Sequence, residues 1–92
     1  ERYSQNIEIA IKILPDIYPI PQVCMSRSGA LHFVWTDKQT SSRVVCTIMV
    51  QAKKGEVDIA NYKTMEFKRF SASVDKETVR EVLTNFLNKI EI

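Results

Sequence analysis

Between Gln22 and Ser73 the apolar residues recur at every second position, and no helix-like stretch interrupts them. Parallel strands need a long crossover, usually a helix, whereas antiparallel strands join through short turns. This part of the chain therefore predicts an antiparallel meander. Gln22 to Met25 reads as a short first strand. Ser26-Arg27-Ser28-Gly29 reads as a turn, with Gly29 able to take positive φ. Ala30 to Trp35 reads as the second strand, with Leu31, Phe33 and Trp35 on one face and Ala30, His32 and Val34 on the other. Thr36 to Ser42 is polar and loop-like. Arg43 to Ala52 is apolar on both faces for much of its length, which predicts a central third strand. Lys53-Lys54-Gly55-Glu56 predicts a hairpin turn, Val57 to Tyr62 a fourth strand and Met65 to Ser71 a fifth. The clean alternation in that last segment is that of an edge strand.

The flanks carry the other period. Ile7, Ala10, Ile11 and Leu14 recur at helical spacing after Ser4, a suitable N-cap, so Ser4 to Leu14 predicts a helix. Pro15, Pro19 and Pro21 follow within seven residues and fix φ each time, a stiff strap between helix and sheet. Asp75 to Ile90 predicts a second helix. Val79, Val82, Leu83, Phe86, Leu87 and Ile90 form its apolar stripe, Asp75 is a natural N-cap, and Glu77 and Lys89 complement the helix dipole. The expected fold is a single α+β domain over residues 1–92, in the order α-β-β-β-β-β-α, with both helices packed on an antiparallel meander. A chain of 92 residues is the size of one such domain.

Ile13-Leu14-Pro15, then Pro19-Ile20-Pro21-Gln22-Val23, then Ser28-Gly29-Ala30-Leu31-His32-Phe33-Val34-Trp35 form a recurring order: helix, proline-rich strap, glycine turn, strand ending in Trp. In this order the chain resembles a largely uncharacterised family of small bacterial, plasmid and phage α+β proteins. Arg43 to Ile90 matches the apolar strand, glycine turn and closing amphipathic helix that complete the pattern. The resemblance spans nearly the whole chain and implies a fold and a bacterial or mobile-element setting rather than an activity. The chain departs from the pattern in its basic, cysteine-containing sheet and its short lead before the first helix.

Several function classes are disfavoured. The longest apolar run, Val44 to Val50, is broken by Thr47 and is far short of the roughly 20 residues of a membrane span. Glu1-Arg2-Tyr3 lacks the basic-then-apolar order of a signal peptide. Without an initiator Met, the chain is expected to be trimmed or part of a longer protein. Two cysteines, Cys24 and Cys46, are too few for a disulfide scaffold, which leads us to expect a cytoplasmic protein with reduced thiols. His32, Cys24 and Cys46 are the soft metal ligands, but they lie on three strands without C-x-x-C or H-x-x-x-H spacing, so no metal or other cofactor is expected. His32 is the one ordinary base near neutrality, and no glycine-rich elbow lies beside it. The carboxylates are scattered, and phosphate-loop and dinucleotide motifs are lacking. An enzyme is not expected.

Two binding readings remain. If Leu31, Phe33, Trp35, Val45 and Met49 lie under the helices, then Val34, Val44, Cys46, Ile48 and Val50 form a second apolar sheet face that something has to cover. This predicts a small non-catalytic protein-binding module, an accessory, antitoxin-like or inhibitor protein. Its partner would be another protein or a second copy of itself. The interface would be the face around Val34, Ile48 and Val50, or the edge strand carrying Met65 and Phe67, by strand addition. The alternative is nucleic-acid binding. There Lys53, Lys54, Lys63, Lys68 and Arg69 would hold phosphates while Tyr62, Phe67 and Phe70 stack bases.

Overall fold

The computed structural model describes Glu8 and residues 20–51, 54–71 and 73–92. Within them lie five strands, β1 (Gln22–Met25), β2 (Leu31–Thr36), β3 (Arg43–Gln51), β4 (Lys54–Asn61) and β5 (Glu66–Ser71), followed by one helix, α1 (Lys76–Leu87). The strands form a single sheet in sequence order, every neighbour antiparallel, as the uninterrupted period of two requires.

The expectation of a helix at each end is corrected. The described fold is β1-β2-β3-β4-β5-α1, a meander with a C-terminal helix alone packed on it. Ser4 to Leu14, Glu8 aside, and the strap residues Pro15 and Pro19 lie outside the described residues. The third turn is also corrected. β3 and β4 pair out to Gln51 opposite Lys54, so Lys54, Gly55 and Glu56 are strand residues rather than the turn expected there.

α1 begins where its cap predicts. Asp75 has extended backbone and its carboxylate accepts the Thr78 N–H at 2.8 Å, which satisfies one of the first-turn donors. The same bond holds the Asp75 carboxyl below its ordinary pKa. The helix buries Val79, Leu83, Phe86 and Leu87 against Trp35 of β2, Val44, Cys46 and Ile48 of β3 and Val57 and Ile59 of β4. Ile90 completes this core just past the helix end. Among the described residues, no helix is long and apolar enough to cross a membrane.

The register decides which residues join the core. Trp35 pairs with Val44, Phe33 with Cys46 and Leu31 with Ile48. Directly opposed residues share a face, so Val44, Cys46 and Ile48 lie beneath α1 with Trp35, and Val45, Thr47 and Met49 lie on the other face. This reverses the assignment expected for the third strand. Strand alternation is correctly read within β2 and β3, but the loop between Thr36 and Arg43 sets the parity between them. A slip of one residue exchanges the faces of a whole strand.

Two polar side chains tie one end of the molecule together. Asp37, fully buried after β2, accepts the Thr40 hydroxyl at 2.7 Å and the N–H groups of Gln39 and Glu91 at 3.2 Å. It also pairs with Lys63 at 2.9 Å. Asn61, fully buried at the end of β4, donates to the Phe86 carbonyl at 3.2 Å and accepts the N–H groups of Lys63 and Thr64. The β2–β3 loop, the β4–β5 turn, the helix end and Glu91 are thus joined by hydrogen bonds to two buried side chains.

Candidate protein-interaction face

The face that α1 leaves open is organised in rows that run across the strands. Gln22, Val34, Val45, Ala60 and Phe67 stand opposite one another in register from β1 to β5. They form a stripe that is apolar from Val34 onward. The next row is Cys24, His32, Thr47, Asp58 and Arg69, polar throughout. Lateral bonds order that row. His32 Nδ1 and Thr47 Oγ1 share a hydrogen bond of 2.9 Å, and Arg69 Nε donates to Asp58 Oδ1 at 2.9 Å, with Glu56 at 3.9 Å. The hydrogen bond and charge of Asp58 raise the Arg69 pKa further above its ordinary value.

The apolar stripe ends in an exposed aromatic pair. Phe67 is 55% exposed, and Tyr62 from the β4–β5 turn meets its ring edge-on, with centroids 5.7 Å apart and planes at 75°. A shallow groove of about 450 Å³ runs beside the pair, between Val45, Thr47, Asp58, Ala60, Phe67 and Arg69. Its floor is apolar and its side is the ordered polar row. On this face Arg69 is engaged by Asp58 and Glu56, Arg43 stands opposite Thr36, and Lys54 shares the β4 parity of Glu56 and Asp58.

The expected interface residues divide. Val34 is half-buried on the open face and Phe67 is exposed there, so these two belong to one surface. Ile48 is fully buried beneath α1 and is removed from it. Val50 stands opposite Gly55, at the same parity of β3 as Ile48. Met65 is exposed at the end of the β4–β5 turn, with φ of 61°, rather than on the strand. Val45, Ala60 and Tyr62 are the residues that sequence reasoning did not assign to this surface.

The basic set does not converge. Lys68 pairs with Ile59 and so lies on the helix side, whereas Arg69 pairs with Asp58 on the open side. Lys63 is held by buried Asp37. Lys54 stands opposite Gln51, and Lys53 lies outside the described residues. Nor do the soft ligands meet. Cys24 and His32 pair on the open face, while Cys46 is buried on the other, where burial pushes its thiol up to about 12. No family model, curated protein or solved structure matches this chain.

Proposed function

We propose that this chain is a non-catalytic protein-binding module that docks a partner protein across the open sheet face. The observation that carries the reading is the apolar stripe Val34–Val45–Ala60–Phe67, ending in the exposed Tyr62–Phe67 pair beside a groove. Exposed aromatic groups next to a polar, hydrogen-bonded border are the makeup of an interface centre and its rim. The fitting partner is an amphipathic segment with an apolar side for the stripe and neutral polar groups for the His32–Thr47 row. The engagement of Arg69 by Asp58 and Glu56 and of Lys63 by Asp37, with Lys68 on the helix side, supports this over nucleic acid, whose backbone needs several cations gathered on one surface. An accessory or inhibitor role in a bacterium, plasmid or phage is the cellular form of the proposal.

The test is capture from native lysate by immobilised wild type, Phe67→Glu and Lys76→Glu, each treated with nuclease. We expect wild type and Lys76→Glu to retain one dominant protein and Phe67→Glu to lose it, since Lys76 is exposed at the start of α1, away from the groove. Equal capture by Phe67→Glu, or loss of everything bound on nuclease treatment, would sink the proposal.

A further inference from the structure

The two sheet edges are defended differently. β5 carries Glu66, Lys68 and Arg69, charges of the kind that keep edge strands from pairing with other chains. β1, Gln-Val-Cys-Met, has no charge and is exposed along its whole length. Val23 is 56% exposed and Met25 is 62% exposed, and both lie on the core side of the sheet beyond the reach of α1. Ile20, just before the strand, is 79% exposed.

The backbone of β1 has a definite outward pattern. Ser26 N–H donates to the Ala30 carbonyl at 3.0 Å, which makes Ser26 and Ala30 a hydrogen-bonded pair of the ladder. Such pairs alternate along an antiparallel ladder, so Cys24 with His32 and Gln22 with Val34 are bonded pairs too. Val23 and Met25 therefore turn their N–H and C=O groups away from β2. These groups have no partner among the described residues.

We propose that β1 pairs with β1 of a second copy of this chain, antiparallel about a two-fold axis at Cys24. In that register Val23 of each copy stands opposite Met25 of the other, and the outward groups of both residues are used in both copies. Cys24 faces Cys24 as a non-bonded pair, with Cα atoms about 4.5 Å apart. An axis at Val23 instead sets Met25 against Pro21, which has no N–H to give. A two-fold pairing places like against like. A strand with no charge meets no repulsion in doing so, whereas β5 cannot satisfy this condition at every register. The core sides of the two sheets become continuous, and Val23 packs on Met25 across the junction. A four-residue strand buries far less than the roughly 1,000 Å² of a permanent interface, so the pairing is weak and reversible. It stands apart from the reading above, because the Tyr62–Phe67 pair sits at the opposite edge.

Cys24 supplies the reporter, because the chain's other thiol, Cys46, is buried. The full chain is treated with a short bis-maleimide, in which one thiol adds to each ring and no oxidant is needed. Wild type and Phe67→Glu are expected to give a cross-linked dimer. Val23→Pro removes one outward N–H per copy without touching the β1–β2 bonds, and Met25→Lys sets a charge in the junction. Each is expected to lower the cross-linking rate about tenfold. Circular dichroism melting checks that each variant is folded, and either variant alone suffices. Undiminished cross-linking in a folded variant overturns the proposal, because the thiols would then meet without strand pairing. So does a wild type that forms no cross-link and sediments as a monomer at high concentration.

Discussion

Asp37 carries no charge-bearing role on the surface, yet it is the most tightly held carboxylate described. The Thr40 hydroxyl, the Lys63 ammonium and the N–H groups of Gln39 and Glu91 together hold its pKa well below the usual carboxylate range, against the opposing effect of burial. A carboxyl depressed in the fold contributes stability that is present above the unfolded value near 4 and is lost as pH falls below it. We therefore expect the urea midpoint of wild type to drop steeply on acidification from about pH 4. Asp37→Asn should start lower at neutral pH and show a flatter acid limb. Parallel acid limbs would mean that Asp37 does not govern acid unfolding. Glu66, lowered chiefly by Lys89 at 2.6 Å, acts in the same direction, so the limb should flatten without vanishing. The sequence contains the local half of this arrangement: Asp37-x-x-Thr40 and Asn61-x-Lys63-Thr64 both have a side-chain acceptor before a turn. The distant half, Glu91 and Phe86, leaves no local sign, because those bonds exist only once the helix has docked.

At the scale of elements, what was legible followed local chemistry. α1 was readable because Asp75 caps it and a continuous stripe faces the core. The five strands were readable because period and turn residues act over a few positions. Their faces were not, because the parity of β2 against β3 depends on the path of the loop between them. That loop includes Ser41 at φ of 61°, a conformation no residue type there announces. The corrected register has a measurable consequence. Ile48 is fully buried under α1, whereas Met49 is half-buried on the open side. Ile48→Ala is expected to lower the unfolding free energy by about 2–5 kcal/mol, and Met49→Ala by well under half of that. Similar losses at both positions in chemical denaturation would contradict the assignment of faces. The same parity sets the candidate surfaces. The sequence offers the face around Val34, Ile48 and Val50 and the edge strand with Phe67 as alternatives; the register instead buries Ile48 and puts Val34 in one row with Val45, Ala60 and Phe67.

On the scale of the whole molecule, the docking of α1 on the five described strands gives the polar cluster at one end more than a local task. α1 reaches the sheet through its apolar stripe, and that contact resists sliding weakly, since apolar packing has little direction. Asn61 supplies the direction. Its amide donates to the Phe86 carbonyl near the end of α1, while its carbonyl oxygen holds Lys63 and Thr64 in the turn before β5. One buried side chain thereby sets the helix against the strand that carries Phe67. Asn61→Ala removes three hydrogen bonds made by a fully buried side chain, which costs about 1–3 kcal/mol. The distribution of the loss is the sharper expectation. Hydrogen exchange should quicken at Lys63, Thr64 and the final turn of α1, and stay slow in the middle of β3. The Tyr62–Phe67 pair rides on the same turn, so partner capture should weaken in Asn61→Ala even where the protein remains folded. A variant that exchanged uniformly faster along the chain would show that Asn61 adds stability without fixing the helix to the turn.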